Sequence, residues 1–110
     1  MKRDIQYRTK QFALRIIRLV DALPKNKTSD VIGRQLLRSG TSVGANYRAS
    51  CRAKSRADFI YKLGIVEEEA DESLFWLELL VESKVKRNEY EEFRIPNSEI
   101  KIQNDLRMGN

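Results

Sequence analysis

The stretch from Ser29 to Lys54 constrains the fold most: it holds Gly33, Gly40 and Gly44, no proline, and Leu36, Leu37, Val43 and Tyr47 at helical spacing. Each interior glycine costs a helix about 1 kcal/mol relative to alanine, so three of them need a return. One reading is a glycine-rich loop that cradles phosphate, but such loops sit between a strand and a helix, and no strand pattern precedes Gly33. The other is a long helix whose missing side chains lie on or near its apolar side and let a second backbone come close. The spacing predicts that helix, running to about Lys54.

The flanking segments keep the same period. Ile5, Thr9, Phe12, Ile16, Leu19 and Leu23 step by fours and threes, which predicts a first helix with one apolar side. Pro24 ends it, because the residue before a proline is pushed out of the helical region. Lys25-Asn26-Lys27 reads as a loop, with Thr28 or Ser29 capping the second helix. Ser55-Arg56-Ala57-Asp58 has the spacing of a capping box and opens a third helix. Its stripe of Phe59, Leu63, Val66, Ala70, Ser73, Leu77 and Leu80, widened by Leu74 and Trp76, continues to about Lys84.

Beyond that point the pattern changes. Asn88 and Glu91 can cap a fourth helix using Tyr90 and Phe93, but Pro96 stops it almost at once. Residues 93–99 and 100–106 read as two imperfect copies of one seven-residue unit with apolar residues at period two, which suits extended chain better than helix. The fold class is therefore all-α: an antiparallel up-down helical bundle with three long helices plus a short or irregular fourth segment. Residues 1–92 form the bundle domain and 93–110 an atypical tail. A three-helix core leaves an apolar groove open, to be filled by the tail or by another copy.

Charge divides the 110 residues unevenly. The total is +5, yet residues 1–56 hold 14 Lys and Arg against 3 Asp and Glu, whereas residues 57–110 hold 7 against 13. Such a dipole fits nucleic-acid binding through the basic half, and equally basic and acidic helices that neutralise each other on packing. On the second helix, Arg34, Arg38, Thr41, Ala45, Arg48 and Arg52 follow helical steps and make one longitudinal stripe, with Lys54 and Arg56 near its end. Guanidinium forks grip phosphate in two places. Arg38, beside apolar Leu37, is instead expected to pair with carboxylates from the run Glu67 to Glu72. Arg34, Arg48, Arg52, Lys54 and Arg56 are the candidates for a nucleic-acid partner, expected to be structured RNA or an RNA–DNA hybrid.

Enzymatic chemistry finds little to work with. There is no histidine, so the common general base and the usual metal ligand are both missing. Cys51 has Arg52 beside it but no partner base, and Ser39 and Ser42 lack one too. The expectation is a non-enzyme without cofactor or metal. A single cysteine points to a reducing cytoplasm. The start Met1-Lys2-Arg3-Asp4 lacks a signal core, and no apolar run approaches the ~18 residues of a membrane span.

Gln35-Leu36-Leu37-Arg38-Ser39, Ser42-Val43-Gly44-Ala45-Asn46-Tyr47, Asp58-Phe59-Ile60 with Lys62-Leu63, Glu69-Ala70-Asp71-Glu72 and Trp76-Leu77 closely resemble a bacterial four-helix-bundle family. It includes proteins encoded in intervening sequences of large-subunit ribosomal RNA genes, and its relatives include the accessory variability protein of diversity-generating retroelements. The resemblance spans roughly Ile5 to Glu92. It implies an antiparallel four-helix bundle that assembles into a ring, typically a pentamer, without catalytic activity. For the retroelement relatives it implies binding to RNA or DNA and to a reverse transcriptase. It also puts Arg38, Asn46, Glu69 and Glu72 in signature positions, which suit a structural polar network between the second and third helices.

Overall fold

The computed structural model describes residues 2–83, and within them the chain forms three helices: α1 (Lys2–Asp21), α2 (Lys27–Ser50) and α3 (Arg56–Ser83). No strand occurs among the described residues. The fourth segment, the boundary at residue 92 and the two seven-residue units lie outside them. No helix among the described residues is long and apolar enough to cross a membrane.

The ends of α2 differ from the sequence expectation. Asn26 caps it rather than Thr28 or Ser29. Its backbone is extended, with φ −153° and ψ 172°, and its side-chain oxygen accepts from the Ser29 N–H at 2.8 Å. Asparagine is as good a cap as serine, and the exchange leaves Ser29 free to turn inward, where it is buried.

At the other end α2 stops at Ser50, not near Lys54. Arg52 and Ala53 donate to the carbonyls of Ala49 and Ser50, both at 3.1 Å, tightening the chain out of the helix. The cap of α3 then takes over the chain from Lys54 onward. Ser55 Oγ accepts from the Asp58 N–H at 3.0 Å, and Asp58 Oδ2 accepts from the Lys54 N–H at 3.1 Å. The expected capping box thus reaches one residue further back than the standard pattern, taking the N–H of Lys54.

Helix α2 lies in the middle, with α1 and α3 packed on it. Gly33 meets Leu23 and Val20, Gly40 meets Ile16, and Gly44 meets Thr9, so α1 runs antiparallel to α2. These approaches need the glycines. A Cβ on Gly40 would stand 2.9 Å from Ile16 Cγ1, and one on Gly44 would stand 3.3 Å from Thr9 Oγ1. The close contact offsets the helix-propensity cost that the sequence carries. Ile16, Leu36 and Leu80, one from each helix, form the centre of the core, with Phe12, Leu19, Trp76 and Leu77 around it.

On its other flank α2 meets α3 through serines. The buried Ser73 hydroxyl donates to Ser39 Oγ at 3.0 Å, and the Ser39 hydroxyl donates in turn to the Leu36 carbonyl at 3.4 Å. Helix α3 is apolar around much of its circumference. Leu74, expected to widen the buried stripe, is 52% exposed, and Ile60, Phe75 and Val81 are at least half exposed with it. Between α1 and α3, above Val43, runs a groove of about 480 Å³ lined by Ile5, Phe12 and Ala70.

Candidate nucleic-acid interface

Antiparallel packing sorts the cations by height along the bundle. Thr9 against Gly44 fixes the first turns of α1 beside the last turns of α2, and the turn at 51–55 leads directly into α3. One pole therefore gathers exposed Lys2, Arg3 and Lys10 from α1, Arg48 from α2, Arg52 and Lys54 from the turn, and Arg56 at the start of α3. The N-termini of α1 and α3 add their positive dipole ends at the same pole.

The stripe read from the sequence divides into two parts. Arg34 pairs along its own helix with Asp30 at 3.9 Å, both side chains exposed. Arg38 reaches across to α3, donating to Glu69 at 3.2 Å and to Glu72. Arg48, Arg52, Lys54 and Arg56 have no carboxylate oxygen within 4.0 Å among the described residues. Arg52 and Lys54 stand on the turn, so the stripe ends as a cationic tip rather than as a continuous helical line.

The polar residues between α2 and α3 do not form one network. Glu72 is the hub: besides Arg38 it accepts from Trp76 Nε1 at 3.0 Å. The hydrogen bond from Arg38, then that from Trp76, holds its carboxyl below the usual glutamate range, and the bond to Glu72 raises Arg38 in turn. Asn46 stands apart from this cluster, donating to the Ser42 carbonyl of its own helix at 2.9 Å. Arg38 itself is about half exposed, so it closes the rim of the α2–α3 seam rather than its interior.

Asp58, the one acid of α3 near the basic pole, is occupied. The Lys54 backbone N–H, then the Lys62 ammonium at 3.1 Å, hold its carboxyl below the ordinary range.

Beside the cationic tip, α1 and α2 enclose a groove of about 460 Å³. Ala13, Gly44, Ala45 and Ala49 give it a shallow floor, while Gln6 and Lys10 of α1 face Arg48 and Arg52 across it. Cations held along two sides of a small-residue trough can take a run of phosphates, and each arginine presents donors in a fixed fork. Gln6 and Lys10 were not among the residues the α2 stripe singled out. The signal for them was the hairpin: folding the chain about Pro24 sets residue 9 near residue 44, and so Lys10 near Arg48.

A model of the family described as 23S rRNA-intervening sequence protein matches residues 1–103. A crystal structure from Bacteroides thetaiotaomicron, described as a protein with unknown function from the S23 ribosomal protein family, is 46% identical over 72% of this chain and 73% of its own, with a TM-score of 0.67. No curated protein matches the chain.

Proposed function

We propose that this chain, which belongs to the family of 23S rRNA-intervening sequence proteins, is a non-catalytic oligomeric helical scaffold that binds nucleic acid through its basic pole. One observation carries the reading: Arg48, Arg52, Lys54 and Arg56, unanswered by acids among the described residues, converge with Lys10 on one groove and its tip. Cations left uncompensated at one pole raise the local potential and attract polyanions. The partner is RNA or DNA recognised mainly by phosphate, since such contacts position a strand and carry little base information.

The test is binding of labelled RNA between about 50 and 200 mM salt, where each phosphate neutralised steepens the decline of affinity. The variant with Arg48, Arg52 and Arg56 all changed to glutamate loses binding while its mass by light scattering stays that of the wild type. Equal retention of RNA by wild type and variant overturns the reading.

A second reading rests on α3. Ile60, Leu74, Phe75 and Val81 are exposed among Glu67, Glu68, Asp71 and Glu78. An apolar and acidic face suits the basic pole of another copy, and a protein-interaction oligomer would then occupy the same arginines. In that case the triple variant falls apart into smaller species, and RNA is not retained by the wild type.

A further inference from the structure

The outward edge of α1 bordering the basic groove carries Arg3, Tyr7, Lys10 and Leu14 at steps of four, three and four, so they share one side of the helix. All four are exposed. Tyr7 is 65% exposed. It follows Gln6 in the chain and precedes Lys10 by one turn, and both of those residues line the groove.

The other aromatic residues of the described chain differ in place or surroundings. Phe12, Tyr47, Phe59 and Trp76 are buried or half-buried, and the T-shaped ring pair is Phe75 with Trp76, on α3. Tyr61 is as exposed as Tyr7 and, like Tyr7 with Asp4, has an acid one turn before it, but Gly64 rather than a cation stands one turn after, ahead of the acidic run beginning at Glu67. Tyr7 is the exposed ring on the helix that borders the basic groove, one turn before Lys10, and the acid one turn before it, Asp4, is taken by Arg8 at 3.6 Å.

We propose that Tyr7 is a stacking platform for an unpaired nucleobase, so that the α1–α2 groove takes a single-stranded segment of nucleic acid in preference to a duplex. The inference rests on the nucleic-acid reading above and names the form of the partner. Phosphates lie along Lys10, Arg48 and Arg52, and a base splayed from that backbone covers the Tyr7 ring. Every base has a π-face, so stacking of this kind tolerates sequence. A duplex keeps its bases stacked on one another and offers the ring nothing beyond backbone.

The experiment measures affinity by fluorescence anisotropy for a mixed-sequence RNA of about 20 nucleotides, longer than a site of roughly 4–16, and for the same strand annealed to its complement. The proteins are the full chain, Tyr7→Ala, Tyr7→Phe and Tyr61→Ala. Loss of one stacked base weakens binding roughly tenfold. Tyr7→Ala is expected to weaken the single strand by that factor, leave the duplex and the salt slope unchanged, and keep its mass by light scattering. Tyr7→Phe and Tyr61→Ala are expected to bind as wild type.

Equal weakening for both RNA forms, or none for either, overturns the inference and leaves the phosphate-binding reading standing. A change of mass in Tyr7→Ala assigns the ring to a protein interface and overturns it too. Failure of the wild-type chain to bind either form at about 50 mM salt removes the nucleic-acid reading and this inference together.

Discussion

The two seams that flank α2 are built from different materials. Against α1, α2 presents glycine, and the approach is close: Gly40 lies on the Ile16 side chain, and Gly44 on both the hydroxyl and the backbone of Thr9. Against α3 it presents serine and arginine, and the contact is directional: Ser73 to Ser39 inside, Arg38 to Glu69 and Glu72 at the rim. The glycine seam depends on shape, so it responds to added volume. The serine seam depends on donors and acceptors, so it responds to their removal and to pH. The difference also disposes of the cations. Across the two seams, the acids that answer an arginine of α2 come from α3, which leaves Arg48 and Arg52 on the α1 side open to an outside anion.

The largest effect should come from overfilling the glycine seam. Gly40→Val drives methyl groups into Ile16, a β-branched side chain with little room to yield, and is expected to cost about 1–3 kcal/mol by urea denaturation. Gly64→Ala is the control. Nothing lies within 4 Å of a Cβ there, so relief of the helix-propensity penalty should stabilise the protein by about 0.5–1 kcal/mol. If both glycines responded alike, shape complementarity would not be what distinguishes the α1 seam.

A middle-sized effect belongs to the buried hydroxyl pair. In a double-mutant cycle of Ser39→Ala and Ser73→Ala, the coupling should be about 0.5–1.5 kcal/mol, the net worth of one buried hydrogen bond. Strict additivity would mean that Ser73, which can also donate to the Glu69 carbonyl at 2.9 Å, does not use Ser39 in solution.

The smallest effect lies at the rim. The Glu72 carboxyl sits below its ordinary value of 4.5 because of Arg38 and Trp76, so its contribution is fully present above that pH. The contribution declines as pH falls through 4.5 toward the lowered folded value, as the unfolded chain takes up the proton first. The stability gap between wild type and Glu72→Gln should therefore be seen at neutral pH and close in acid. A gap that stayed constant down the pH scale would show that packing of the side chain, not its charge, is what matters.

Three helices were legible in the sequence because their apolar residues recur at threes and fours and because Pro24 and the Ser55–Asp58 cap interrupt them. Their ends were less so. Asn26 took the cap expected of Thr28 or Ser29, since several residues at a helix start can each accept an orphan N–H two or three positions further on, and the winner is the one whose backbone is already extended. The helical spacing extends to Lys54, but its N–H is bound by Asp58, and a local competition of that kind leaves no periodic trace.

What the sequence determined by itself is the helical class, the small-residue side of α2 and the excess of cations in its first half, because spacing and charge are properties of the chain alone. Tertiary packing decided which of those cations remain open. Arg38 and Arg48 stand on the same helix and in the same stripe, and only the antiparallel placement of α3 puts Glu69 and Glu72 beside the first while α1 lays Lys10 near the second. Whether a guanidinium is neutralised depends on what lies within a few ångströms of it, and that distance is set by the fold.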